Sequence, residues 1–245
     1  MSTERIGAVV RKELRDFRRN RFLVGTMSVL PVVFLISPMI TLFRIPASAP
    51  ASLVDRSVGV TSLLLFVVPA VIPPIMAAYS VIGERDQGTL EPFLTTPIRR
   101  EELVLAKAFA VFIPSVTVAY GIYLAFALAV RFGAVHAVSA AVWHAPQMVA
   151  QLVFTPLIAT WAIWVGIAMS VRARDVRVAQ QLATLASLPA LGITTLITFR
   201  VITPSVTVAV VLGLALLAVD LAAWRFVSKL FDRERLITGT RAQPS

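Results

Sequence analysis

One acidic residue lies deep within a long apolar segment of this sequence. Asp220 is the acid of the stretch Pro204–Phe226, where a charged side chain is costly and is therefore a candidate functional group. We expect its carboxylate to pair structurally with Arg225 or Lys107. The alternative is that Asp220 takes part in a proton or ion path.

Other residue types that carry chemistry are scarce. The chain has no cysteine, and its two histidines, His136 and His144, have no carboxylate between them, whereas metal sites need three or four converging ligands. No G-x-x-x-x-G-K-[ST], G-x-S-x-G or H-E-x-x-H pattern occurs. We therefore predict that the chain is not an enzyme and that it binds no metal and no cofactor of its own.

The composition is typical of a membrane protein. Hydrophobic residues make up 58% of the 245 residues and charged residues 15%, against about 45–50% and about 25% in soluble domains. The mean hydropathy of +0.83 agrees with this interpretation. A soluble chain this apolar could not cover its surface with polar groups.

Six apolar stretches are each long enough to cross a membrane as a helix, which takes roughly 20 residues. They are Phe22–Phe43, Val58–Ile82, Leu103–Val130, Met148–Ser170, Val178–Phe199 and Pro204–Phe226. We predict an all-α membrane protein with six transmembrane helices. The fifth span contains Gln180, Gln181 and Pro189 and is followed by a very short connection, so a re-entrant junction between spans five and six stays open.

The distribution of Lys and Arg predicts the orientation. With the N-terminus inside, 19 of the 23 basic residues fall on the inner side and four on the outer side. This bias places both termini in the cytoplasm and accounts for the net charge of +10 without nucleic acid. The predicted organisation is a cytoplasmic amphipathic segment 1–21, a transmembrane domain 22–226 and a cytoplasmic tail 227–245.

The first segment is predicted to be an amphipathic helix. Five apolar residues recur at helical spacing among six basic ones; they are Ile6, Val9, Val10, Leu14 and Phe17. A cationic helix with one apolar stripe lies in the membrane surface. It is either a topogenic anchor or an elbow helix that packs against cytoplasmic machinery, and these roles are compatible.

The connection between spans two and three, Glu84–Glu102, has a pattern of its own. Gly88 loosens a helical turn and Thr89 can cap the next one. Leu90, Phe93 and Leu94 then form a small apolar face at helical spacing. An apolar triplet in a cytoplasmic loop indicates a short helix that docks into a groove of a partner.

This loop resembles that of permeases of the type-2 ABC exporter family. Their pattern is close to E-x-x-x-G-T-L-E-x-L-L-x-T-P-x-x-x-x-E, followed by a basic residue in the next span. The matching residues are Glu84, Gly88, Thr89, Leu90, Glu91, Leu94, Thr96, Pro97 and Glu102. Phe93 replaces a leucine, and Lys107 stands at the basic position.

The resemblance implies that the loop is the coupling helix that inserts into a cytosolic ABC ATPase subunit. Leu90, Phe93 and Leu94 would be the buried face. The remaining interface positions would be Glu84, Arg85, Gly88, Thr89, Glu91, Thr96, Pro97, Arg99 and Arg100. Arg174, in the second inner loop, resembles a smaller contact or belongs to an ordinary basic loop.

The implied protein is an exporter permease in the plasma membrane. Two copies, or one copy and a related permease, would form the pathway within the lipid, and ATP and Mg would bind on the ATPase subunits. The alternative is a stand-alone secondary transporter or channel, for which several intramembrane ionisable groups or two matching halves would be expected.

Overall fold

The computed structural model describes residues 3–86, 100–173, 175–198 and 205–230, and every regular element within these ranges is a helix. The helices are α1 (Thr3–Arg19), α2 (Arg21–Phe43), α3 (Ala51–Asp86), α4 (Arg100–Gly133), α5 (His136–Val142), α6 (Ala145–Arg172), α7 (Val176–Thr198) and α8 (Val206–Leu230). The predicted all-α class is confirmed.

Five of these helices, α2, α3, α4, α6 and α8, are long and apolar enough to cross a membrane. They correspond to five of the six predicted spans. The predicted fifth span coincides with α7, which is a helix of 23 residues but does not belong to that group of five. The count of six crossings is therefore not confirmed by length and composition.

Helices α3 and α6 form the centre of the bundle. Their most apolar segments are 61% and 56% buried, against 17%, 28% and 22% for α2, α4 and α8. A Cβ atom added to Gly166 of α6 would lie 2.8 Å from Ala77 Cβ and 3.0 Å from Pro74 Cα of α3. The missing side chain at Gly166 thus lets the two backbones approach closely, as small residues do between membrane helices.

Helix α1 forms as predicted and packs against α4 and α2. Val9 and Phe17 of the predicted apolar stripe are buried in the largest core cluster, and the other stripe residues are partly buried against it. The turn into α2 is fixed by Asn20, whose side chain accepts hydrogen bonds from the backbone N–H groups of Phe22 and Leu23 at 3.0 and 3.2 Å.

Two core clusters mark opposite ends of the bundle. The cluster that contains Val9 and Phe17 of α1 also includes Leu103 of α4 and Val227 of α8, so we call this the α1 end. The cluster at the other end joins Leu42 of α2 to Val138 of α5. The last turns of α8 therefore lie at the same end as α1.

Helix α7 runs along α3 and α6, away from the α1 end. Ala179 packs near that end with Ile82 of α3. Gln180 donates a hydrogen bond to the carbonyl of Ile75 at 3.4 Å. Further along, Trp161 Nε1 of α6 donates to the carbonyl of Ala186 at 3.3 Å. Contacts with α3 and α6 thus continue along α7 as it leaves the α1 end.

Candidate functional site

The predicted coupling loop is bracketed by α3 and α4, which pack against each other. Glu84 and Arg85 belong to the last turn of α3, and Arg100 begins α4. Residues 87–99 lie outside the described residues, and with them Gly88, Thr89, Leu90, Glu91, Phe93, Leu94, Thr96, Pro97 and Arg99. Arg174 also lies outside them. The docking assignment for these positions stays a prediction.

Lys107 is completely buried two turns into α4, at the α1 end of the bundle. Its Nζ atom donates a hydrogen bond to Glu13 Oε1 of α1 at 2.9 Å and another to the Ser80 carbonyl oxygen of α3 at 2.6 Å. The Glu13 side chain is 3% exposed. One ammonium group therefore joins three helices, and we call these residues the Lys107 junction.

The junction lies among apolar side chains of the largest core cluster, which includes Val9, Phe17, Leu103 and Val104. In such surroundings the attraction between opposite charges is strong, but each charge has also lost its water. Removal of one partner from a buried pair typically costs about 3–5 kcal/mol, because the other charge is left uncompensated. The pair consequently ties α1 to α4 in a specific register.

The loop pattern identified Lys107 as a site residue, but Glu13 was not identified from the sequence. The available signal was the position of Glu13 on the apolar side of α1, four residues after Val9 and four before Phe17. A carboxylate on a stripe that becomes buried requires a cationic partner. Lys107, inside an otherwise apolar span, is the matching cation.

Asp220 is also buried, with 3% of its surface exposed, but it is not part of the junction. Among the residues that the structure describes, neither carboxylate oxygen of Asp220 has a hydrogen-bond partner. The predicted pairing is wrong for Lys107, because Glu13 and Ser80 bind its ammonium group. It is also wrong for Arg225, whose side chain is exposed one turn further along α8.

The two histidines lie away from the junction, at the start of α5 and directly before α6, and both are exposed. Within the described ranges, no group of three or more His, Cys, Asp or Glu side chains comes together. The buried charged side chains in the described part of the chain are Glu13 and Lys107 of the junction, Glu102 and Asp220.

The helical architecture, with five helices suited to crossing a membrane, defines a multi-pass membrane protein. Residues 7–203 match the sequence profile of the ABC-2 family of transporter proteins. The chain belongs to this family, since the match covers most of its 245 residues. It is accordingly a permease of the ABC-2 type, as the loop pattern predicted.

Two curated relatives carry the name probable ABC transporter permease protein NosY. The protein from Pseudomonas aeruginosa is 30% identical over 131 residues, and the one from Stutzerimonas stutzeri is 32% identical over 130 residues. These alignments take in 52% and 51% of this chain. They span 43% and 42% of the relatives, so the similarity extends over less than half the length of each.

Proposed function

We propose that the chain is the membrane-spanning subunit of an ATP-driven exporter whose ATPase is a separate cytosolic protein. The ATPase docks on the loop between α3 and α4, around Leu90, Phe93 and Leu94. ATP and Mg bind on that partner. ATP-driven movement of the partner displaces the adjoining ends of α3 and α4 and so changes access to the pathway.

The observation that carries this proposal is the match to the ABC-2 transporter family together with the loop pattern Glu84–Glu102, and the Lys107 junction supports it. The junction joins α4 to the α3 backbone and to α1 within two turns of the loop that would receive the ATPase. A force on the loop is thereby distributed over three helices instead of bending one. A rigid base of this kind is what a transporter needs if movement outside the membrane is to shift its spans together.

We further propose that α7 is a sixth crossing and that both termini are cytoplasmic. The contacts of α7 begin near Ile82 and continue along α3 and α6. The end of α8 shares a core cluster with α1. These relationships support an even number of crossings, because an odd number would leave the two ends of the chain on opposite sides.

The outward surfaces suit lipid. On α1, an open groove of 440 Å³ is lined by Leu14 and by four exposed arginines, which are Arg11, Arg15, Arg18 and Arg19. Such a row of cations suits the anionic headgroups of an inner leaflet. The α2 surface carries exposed Val29, Val33, Ile36 and Ile40, an apolar stripe for acyl chains or for the second permease of a dimer.

Co-purification tests the docking assignment. A reading frame with a P-loop is expected beside the gene, and its product should co-purify with a tagged permease. The double substitution Leu90→Asp with Phe93→Asp should abolish both co-purification and stimulation of ATP hydrolysis while the permease still inserts. The matched control is Leu53→Asp with Phe132→Asp, two exposed apolar positions at the ends of α3 and α4 that are remote from the loop.

The control pair lies at the ends of α3 and α4 opposite to the loop, so it should leave insertion and association with the ATPase intact. Association that persists in the Leu90/Phe93 variant contradicts the docking site. Absence of any co-purifying ATPase with the wild-type permease contradicts the proposed function itself.

A further inference from the structure

A row of polar atoms without partners runs along one face of α8. Asp220, Trp224 and Ser228 are spaced at i, i+4 and i+8. Their polar side-chain atoms are buried, and none has a hydrogen-bond partner among the described residues. Helix α8 packs against α6. Trp164 of α6 has a buried indole Nε1 that also lacks a hydrogen-bond partner among the described residues.

These groups lie on two helices that pack against each other. Trp164, Trp224 and Val227 belong to one core cluster or pack against it. A Cβ atom added to Gly213 of α8 would lie 2.8 Å from Val153 and 3.7 Å from Leu157 of α6. Because both helices rise by about 1.5 Å per residue towards the α1 end, this contact places Trp164 of α6 at a depth between Asp220 and Trp224 of α8. Asp220 is one turn further from the α1 end than Trp224.

A cavity of 150 Å³ lies between α4 and α6, and Trp164 is the member of this set that lines it. Phe109 and Phe112 also line it. Phe109 is 47% exposed, so the cavity opens towards the outer surface of the bundle. The opening allows a ligand to enter from the membrane side and to reach the Trp164 ring.

An ionised carboxylate without a partner inside a membrane protein costs several kcal/mol or more, and such groups are paired, neutralised or functional. The Trp164 and Trp224 indoles cannot remove this cost in the present conformation, since neither donates to Asp220. A positively charged ligand would compensate the carboxylate. Aromatic rings nearby would add cation–π attraction to the same charge.

We propose that Asp220, Trp224 and Trp164 form an intramembrane binding site for an organic ammonium cation with apolar substituents. Asp220 supplies the counter-charge, and the indoles supply ring faces. The aromatic cavity of Phe109, Phe112 and Trp164 receives the apolar part. That this ligand is the exported cargo rests on the proposed function, whereas the binding site itself does not.

The chemistry of the surroundings favours an organic ion over a metal ion. Hard cations such as Ca²⁺ take about six to eight oxygen ligands. Within the described residues no cluster of three acidic or histidine side chains exists, and the unpartnered polar groups aligned with Asp220 on α8 are one indole and one hydroxyl. Aromatic side chains around one carboxylate are typical of sites for quaternary ammonium groups.

Equilibrium binding of radiolabelled tetraethylammonium to the permease alone, in lipid nanodiscs without ATPase, tests the proposal. This probe carries a fixed charge and apolar arms and cannot donate a proton. The wild-type permease should bind it saturably, and Asp220→Asn should weaken the affinity at least tenfold. Asp16→Asn, on the exposed side of α1, is the matched control and should not change the affinity.

The tryptophan position provides a second, independent measurement. Trp164→Phe keeps a ring face and should bind within about threefold of wild type, whereas Trp164→Leu should lose roughly tenfold. This series decides the question if Asp220→Asn does not yield a monodisperse protein. Equal affinity in the Phe and Leu variants contradicts the aromatic contribution.

Two outcomes overturn the proposal outright. One is unchanged affinity in Asp220→Asn. The other is an absence of saturable binding to wild type; a more thermostable Asp220→Asn variant then indicates a carboxyl group that is simply protonated. Because the assay contains no ATPase, failure here leaves the docking experiment on Leu90 and Phe93 unaffected, and the reverse also holds.

Discussion

The Lys107 ammonium of α4 lies 2.9 Å from the Glu13 carboxylate of α1, and both side chains are almost fully buried. This pair joins a surface-type amphipathic helix to the interior of a membrane span. Helix α1 thus packs on the bundle through its apolar stripe. It is part of the packed base of the bundle, beside the loop where an ATPase is proposed to act.

Glu13→Ala should destabilise the permease strongly. The substitution leaves the Lys107 ammonium buried without its counter-charge, which typically costs about 3–5 kcal/mol. The double variant Glu13→Leu with Lys107→Met replaces both charges by apolar groups and should recover most of that loss. Thermal unfolding of the detergent-solubilised protein, followed by size-exclusion chromatography, measures both effects.

The matched control for the junction is Lys12→Gln. Lys12 Nζ is 3.7 Å from Glu13 Oε1, but its side chain is 41% exposed. Exposed ion pairs contribute about 0–1 kcal/mol, so the shift in unfolding temperature should be small. A Glu13→Ala variant as stable as Lys12→Gln contradicts the role given to the junction.

Gly166→Ala should weaken the packing of α6 on α3. The new Cβ would lie 2.8 Å from Ala77 Cβ and 3.0 Å from the Pro74 backbone, which cannot move aside like a flexible side chain. Overpacking of this kind costs about 1–3 kcal/mol. Gly25→Ala of α2 is the control, because nothing lies within 4 Å of its added Cβ. The unfolding temperature of Gly25→Ala should be equal to or above that of wild type. If both variants lose the same amount of stability, the close approach of α6 to α3 at Gly166 is contradicted.

The topology can be mapped with single cysteines, since the natural chain has none. Three exposed positions serve: Thr3 at the start of α1, Ser52 in the first turn of α3 and Lys229 in the last turn of α8. Six crossings predict that a membrane-impermeant maleimide labels Ser52→Cys in intact cells and labels the other two only after permeabilisation. Labelling of Lys229→Cys in intact cells, with Thr3→Cys protected, shows that α7 does not cross.

The sequence predicted the helical class, the amphipathic α1 and the approximate position of the five long apolar helices, because hydropathy and helical spacing act locally. Helix ends were less predictable. Helix α3 begins at Ala51, seven residues before the predicted start at Val58, because its polar first turns carry no hydropathy signal. Whether α7 crosses the membrane was hard to predict for a related reason. Gln180 lowers the hydropathy of this helix, although its side chain donates a hydrogen bond to the Ile75 carbonyl.

The site was predictable only in part. The position of Lys107 followed from a family pattern, but its partner lies 94 residues away in the chain, and no spacing rule connects them. Asp220 was recognised as an intramembrane acid, and the expectation of an ion pair was wrong. Pair formation depends on which helix faces meet, and that is decided by packing such as the contact of Gly166 with α3.

The central claim is that a separate ATPase contacts the loop between α3 and α4. Photo-crosslinking tests this most directly, with a benzophenone side chain incorporated at Leu90 in one variant and at exposed Leu53 of α3 in another. The account predicts an ATPase crosslink from position 90 that disappears on addition of Phe93→Asp, and none from position 53. Absence of a crosslink at position 90, or equal crosslinking from both positions, contradicts it.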